Sequence, residues 1–364
     1  MTGWGKLRAH FDWPLGICMV VLVTVGLANL YSATATTTLT LVRQQLGWLV
    51  LGFGVFLVTA TLDYRLFYRL AYPLYGAGLL ALLLVLLVGK SVNASQRWLE
   101  LFGFAIQPSE PMKVLLILAL AKYLHDDPTV EERTLRHVLI PFLLVLAPVV
   151  LVLRQPDLGT ALLILLLFVS IMLLTKLRLR AVLTLLLAVI AASPLIWSYV
   201  LRDYQKRRIY TFLDPSSDPG GSGWHSRQSI LAVGSGGWTG KGYLQGTQNR
   251  LHFLPERWTD FPFAVWAEEW GFLGSVALLA VYVVLVLLAV RLASQARDRF
   301  GAVLCVGVAA LLFWHTVFSI GMVTGTIPVV GVTLPFVSYG GSSMMTTMCA
   351  TGLLMNASVR RSSY

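Results

Sequence analysis

Four carboxylates, Glu256, Asp260, Glu268 and Glu269, crowd into fourteen residues, beginning in Pro255-Glu256-Arg257-Trp258-Thr259-Asp260-Phe261-Pro262. A carboxylate held near a hydroxyl accepts its proton as that oxygen attacks, so the cluster suits general-base work. A plainer role competes with it. Thr259 reads as an N-cap and Pro262 as a first-turn proline. Asp260 would then lie in the first turn of a helix, complementing its dipole for about 0.3–1 kcal/mol. Glu268 and Glu269 fall two turns deeper, in an apolar run where ionisable groups mark functional sites. Their plainer role is pairing with a basic residue on a neighbouring helix.

Three further segments carry polar chemistry. Arg97 stands in Gln96-Arg97-Trp98-Leu99, ahead of Glu110 and Lys113 in Gln107-Pro108-Ser109-Glu110-Pro111-Met112-Lys113. Glu110 and Lys113 are three apart, on one helix face, where they pair with each other or face a ligand. Gln155-Pro156-Asp157-Leu158-Gly159-Thr160 is a polar turn between apolar runs. The stretch 329–343, with Ser338-Tyr339-Gly340-Gly341, is rich in Gly and Pro at membrane depth. Non-helical backbone is tolerated there only where it lines a cavity or is buried in protein.

The elements that must position these residues are membrane spans. Of 364 residues, 57% are hydrophobic and 12% charged, with a mean hydropathy of +0.74. Soluble domains carry about 25% charged residues, so a cytosolic enzyme and a disordered chain are both excluded. Apolar runs near 15–34, 40–62, 70–89, 138–153, 158–175, 181–200, 263–290, 300–323 and 342–357 join a weaker one at 108–124. The chain therefore reads as one all-α, polytopic membrane domain over 1–364, with about ten helices of roughly 20 residues each. The run after Lys6 and Arg8 is kept as a span, because no small-x-small cleavage site follows it.

Orientation follows from the basic residues. Fifteen of the 28 Lys and Arg fall in the loops that share a side with the termini. Five lie in the opposite short loops, and eight in the long 201–262 loop, where the charge rule does not apply. Termini are thus expected in the cytoplasm and the long loop outside. That loop opens on a basic cluster (Arg202, Lys206, Arg207, Arg208) and carries Trp224, Trp238, Tyr243 and Trp258. Its length suggests function or disorder, and its aromatics argue against disorder.

All the polar segments then face outside around one cavity. Basic groups there suit phosphate, and a carboxylate suits proton acceptance. Together they suggest an anionic lipid-linked substrate entering from the bilayer, and they give no support for nucleic acid. Competing signatures fail: Gly240-Lys241 lacks a following Ser or Thr for a P-loop, and no His-Glu-x-x-His occurs. Cys18, Cys305 and Cys349 lie in apolar runs and form neither a disulfide pattern nor a metal site.

The four segments, in order and along nearly the whole chain, resemble the SEDS (shape, elongation, division, sporulation) proteins of bacteria. Gly240-Lys241-Gly242, Gly246-Thr247-Gln248 and the Glu256-Arg257 pair are closer to elongation-type than to division-type members. The resemblance implies a peptidoglycan glycosyltransferase of the plasma (inner) membrane, polymerising lipid II into a growing glycan strand. It implies a class B penicillin-binding protein as partner, and Asp260 as the essential aspartate. It also implies that Arg97, Glu110 and Lys113 line the central cavity. Gln155, Asp157, Lys241, Glu256, Ser338, Tyr339, Gly340 and Gly341, which stand in the matching motifs, complete the expected substrate site. A divalent cation, Mg or Mn, is a further expectation for the leaving pyrophosphate. Trp258, Pro262 and Thr333 stand where the family more often has histidine, an aliphatic residue and proline. A lipid-linked-precursor flippase and a non-catalytic scaffold for the penicillin-binding protein are the alternatives.

Overall fold

No water reaches the backbone inside a bilayer, so each apolar run must satisfy its own N–H and C=O groups by coiling. The computed structural model describes residues 11–35, 39–92, 95–101, 104–127, 135–173, 175, 183–184, 187, 191, 193–194, 197–198, 203–214, 221–251, 253–254 and 256–361. Nine of the expected spans are helices: α1 (Trp13–Thr34), α2 (Thr40–Thr61), α3 (Tyr64–Val88), α4 (Ser109–Asp126), α5 (Leu135–Arg154) and α6 (Leu158–Leu173), then α10 (Pro262–Ser294), α11 (Arg299–Val323) and α12 (Gly341–Arg361). Between them, in the long loop, lie α7 (Asp203–Leu213), α8 (Ser222–Ser235) and α9 (Thr247–Arg250). The expected span 181–200 lies outside the described residues apart from isolated positions. Among the described residues, six helices are long and apolar enough to cross a membrane. The protein is an all-α integral membrane protein.

The structure corrects three boundaries. The run 70–89 begins earlier, at Tyr64, because the Asp63 carboxylate accepts the Arg65 N–H at 2.9 Å and caps a polar first turn. The segment between α3 and α4 is a small antiparallel sheet of β1 (Lys90–Val92), β2 (Ser95–Leu101) and β3 (Phe104–Ile106), in the order 1-2-3. Leu99 pairs with Ile106 and Trp98 with Lys90, which fixes Arg97 on the central strand. The run 263–290 is not one continuous helix either. Gly271, at φ +63° and ψ −160°, breaks α10 after two turns, a conformation open to glycine and few others.

Packing is close wherever small residues meet. A Cβ on Gly352 would stand 2.0 Å from Thr59 Oγ1, so α12 lies directly on α2. Asn356 of α12 then donates to the carbonyls of Thr59, Ala60 and Leu62 at 2.8, 3.2 and 2.8 Å, closing the end of α2. Proline is accommodated in the same manner. Pro148 has no N–H for the carbonyl of Leu144 one turn back, and the Tyr75 hydroxyl donates to that oxygen at 2.6 Å. Buried along most of their length, α4 and α11 lie in the interior of the bundle.

Candidate active site

Asp260 does not belong to a helix. The helix α10 starts at Pro262, its capping position is Phe261, and no side chain caps it. The expected Thr259 cap is therefore absent, and the reason is local. Glu256 takes φ +49°, so the N–H groups of Thr259, Asp260 and Phe261 all converge on its carbonyl, at 3.2, 3.0 and 3.2 Å. This turns the Thr259 hydroxyl back toward the Glu256 carboxylate, 3.1 Å away. Asp260 is half-buried, with Oδ2 only 3.5 Å from where a Cβ on Gly331 would stand. Burial is the main cause, and the Glu256 charge the second, of a pKa pushed up to about 6; Arg208, the Thr259 hydroxyl and Arg97 oppose the rise.

The four sequence segments meet around this turn. The Tyr339 N–H donates to Trp258 O at 2.8 Å, joining the Ser338-Tyr339-Gly340 turn to the Asp260 turn. The Gln107 N–H donates to Ser342 Oγ at 2.9 Å, and Gln107 Nε2 reaches Asp157 Oδ2 at 3.3 Å. Arg97 Nε donates to Gln155 O at 3.3 Å and its Nη2 to Pro156 O, while Nη1 stands 3.8 Å from Asp157 Oδ2. Val330 O packs against Gly159, 2.7 Å from where its Cβ would lie. Segments far apart in the chain thus share one face of the bundle.

Within that face the expected site residues have different surroundings. Asp260, Glu256, Arg97 and Tyr339 retain partial or full exposure. Gln155 is buried, with Nε2 on Leu82 O at 2.8 Å, and Asp157 accepts the Thr160 N–H at 3.2 Å. Ser338 Oγ accepts the Leu334 N–H at 2.8 Å, Gly340 N reaches Gln45 Oε1 at 3.3 Å, and Gly341 packs flat on Trp48. Gln155, Asp157 and Ser338 shape the turns from within the protein, and Gly340 and Gly341 lie half-buried beside them.

Two charged groups are engaged more tightly than a ligand-facing role implies. Lys113 is fully buried, 2.8 Å from both Glu110 Oε1 and His315 Nε2. Lys241 lies 2.7 Å from Glu268 Oε1, which also accepts from Thr247 Oγ1 and Gln248 N. Glu268 thereby has the basic partner expected under its plainer reading, supplied by the long loop rather than by a helix. Glu269 accepts from Ser32. The loop locks onto the broken helix through Lys241 N and Gly242 N, each 3.0 Å from the carbonyls of Glu268 and Glu269. Sequence reasoning passed over His315, because 202 positions separate it from Lys113 and no local spacing flags it.

A family model for cell cycle proteins of the FtsW, RodA and SpoVE group matches residues 12–363. The chain is a SEDS protein. It is 37% identical over 360 residues to the peptidoglycan glycosyltransferase MrdB of Escherichia coli K12, a match covering 99% of this chain and 96% of that one. The MrdB of Helicobacter pylori J99 is also 37% identical, over 355 residues. Among solved structures, a chain from a peptidoglycan synthase complex aligns with a TM-score of 0.84 at 35% identity, covering 97% of this SEDS chain and 99% of that chain. The rod shape determining protein RodA of Thermus thermophilus aligns at 0.72 and 33% identity, over 97% and 98%.

Among the described residues, no group of three or more His, Cys, Asp or Glu converges into an ion cage. Mg²⁺ does not need one, since it is often held by one or two carboxylates together with substrate phosphates. Glu256, exposed beside Asp260, fits that simpler donor set.

Proposed function

We propose that this chain is an elongation-type peptidoglycan glycosyltransferase that polymerises lipid II, with Asp260 as general base. The observation that carries the reading is the meeting of four segments around a half-buried carboxylate flanked by Arg97 and Arg208. Asp260 would accept the proton of the 4-hydroxyl of the acceptor N-acetylglucosamine. That oxygen attacks C1 of the donor N-acetylmuramic acid with inversion, and undecaprenyl pyrophosphate leaves with the bonding pair. Proton acceptance contributes about 10²–10⁴-fold. A divalent cation held by Glu256 together with the departing phosphates would supply charge neutralisation there and leave Asp260 free to accept the proton.

The purified protein in detergent should convert lipid II to glycan strands. Detergent leaves no second compartment, so a flippase would form no product. A scaffold would form none without its partner. Absence of polymer from folded protein therefore overturns the glycosyltransferase reading.

The active site is proposed to face outside, with cytoplasmic termini, on the strength of the basic-residue asymmetry. Ser235 of α8 and Ser294 at the end of α10 are both exposed, whereas Cys18 and Cys305 are buried and Cys349 half-buried. In intact cells an impermeant thiol reagent should label Ser235→Cys and miss Ser294→Cys. The reverse pattern would overturn this orientation.

A class B penicillin-binding protein is the proposed partner. Support comes from the likeness to a chain of a peptidoglycan synthase complex described as coordinating polymerization and crosslinking. Strands made here would need that second activity.

A further inference from the structure

Beside Asp260, the start of α6, the far end of α11, the turn at 327–330, α7 and β2 enclose a cavity of about 160 Å³. Two kinds of surface line it. Leu162, Phe318, Ile327 and Val330 are apolar, and Arg97 and Arg208 bring two guanidiniums. Asp260 does not itself line the cavity but stands behind its wall. Val330 is the residue before Gly331, against which Asp260 Oδ2 lies.

The two arginines differ in how much of their hydrogen-bonding capacity is taken. A guanidinium has five N–H donors. Arg97 spends its Nε and Nη2 on the carbonyls of Gln155 and Pro156, and its charge is partly met by Asp157 at 3.8 Å. Among the described residues Arg208 donates once, from Nη1 to Val329 O at 3.0 Å. Among the described residues it has no carboxylate within ion-pair distance, although it is half-buried. A guanidinium so placed, with donors to spare beside an apolar slot, matches an anion joined to a hydrocarbon. Leu162 is 38% exposed, which gives a longer chain an exit from the slot along α6.

We propose that this cavity is the site for the prenyl diphosphate end of the glycosyl donor, with Arg208 as its principal phosphate ligand and Arg97 as its second. The proposal rests on the glycosyltransferase reading and gives it a direction. The donor diphosphate lies on the Arg208 side of Asp260, so the acceptor hydroxyl approaches from the other. When the C1–O bond of the donor breaks, its electron pair goes to the diphosphate oxygen facing the arginines. The acceptor oxygen bonds to C1, and its proton goes to Asp260. Apolar contacts hold the first prenyl unit through the step, and the separated lipid diphosphate leaves along Leu162.

Binding can be read without turnover. The probe is geranylgeranyl diphosphate, with geranylgeraniol and inorganic pyrophosphate as comparisons, on the full-length protein in detergent. The diphosphate should bind more tightly than either comparison. Arg208→Gln should weaken it by about 10- to 100-fold, the loss expected for charge-assisted hydrogen bonds, and leave geranylgeraniol unchanged. Arg208→Lys should recover part of the loss, which excludes misfolding as its cause. Leu162→Trp, placed in the slot, should weaken both prenyl compounds and spare pyrophosphate. Asp260→Asn should bind the diphosphate at least as tightly as the natural protein, since it removes a neighbouring negative charge. Unchanged diphosphate affinity in Arg208→Gln would overturn the proposal, as would pyrophosphate binding as tightly as the prenyl diphosphate. A protein that binds the probe as described yet makes no glycan would overturn the glycosyltransferase reading alone.

Discussion

Asp260→Asn should yield a folded protein that still binds lipid II and polymerises it about 10²–10⁴-fold more slowly. The amide keeps the shape of the carboxylate and cannot accept the proton. Stability should move the other way. Burial and Glu256 raise the folded-state pKa to about 6, above the ordinary value near 3.9, so the ionised form is disfavoured by folding. The penalty is absent at low pH and grows as pH rises between those two values. At neutral pH the uncharged Asn variant should therefore unfold no more easily than the natural protein. A group that only complements a helix dipole predicts the converse, a loss of up to about 1 kcal/mol with near-normal turnover. The natural protein adds a pH signature. Its rate should rise about tenfold per pH unit below pH 6 and level off above it, as the base ionises. Near-natural synthesis by the purified Asn variant, or a flat profile through pH 6, would remove Asp260 from the chemical step.

How much of this was legible beforehand depends on the range over which each feature is determined. Spans were legible because a bilayer imposes one local demand on every apolar run. Even the weak segment at 108–124 folds as α4. Asp260 was legible through its motif, but its backbone was not. The turn rests on a left-handed Glu256, and a non-glycine residue gives no sign of φ > 0 in the sequence. The break at Gly271 was hidden for a similar reason. The run around it is apolar throughout, and its cause is the 237–242 segment docking on the helix, as in the 2.8 Å bond from Phe272 N to Gly237 O. Arg208 read as one of four clustered basic residues. Only the fold separates it from its neighbours by setting it against Val329 and the cavity.

Lys113 illustrates the same limit with the larger energetic consequence. Its spacing from Glu110 left pairing and ligand contact equally open, and the fold surrounds it completely. The Thr333 carbonyl can only accept, so His315 Nδ1, at 2.9 Å, carries the proton. The Lys113 ammonium can only donate, so His315 Nε2 is its acceptor and the ring is neutral. Lys113→Met should therefore lower stability by about 3–5 kcal/mol, since it leaves Glu110 buried without its cation. Lys113→Met combined with Glu110→Gln should recover much of that loss, because no bare charge remains. The exchange Glu110→Lys with Lys113→Glu should not, because a carboxylate at 113 would face the lone pair of His315. Activity should fall along with stability in the single variant. Thr333 lies two residues from Gly331, so loosening His315 shifts the wall against which Asp260 rests. Apparent unfolding temperatures and lipid II polymerisation by the three purified variants decide the matter. A charge exchange that restores both would show an isolated ion pair in which His315 has no part. Natural stability in Lys113→Met would show that Glu110 finds another cation or sheds its charge at no expense.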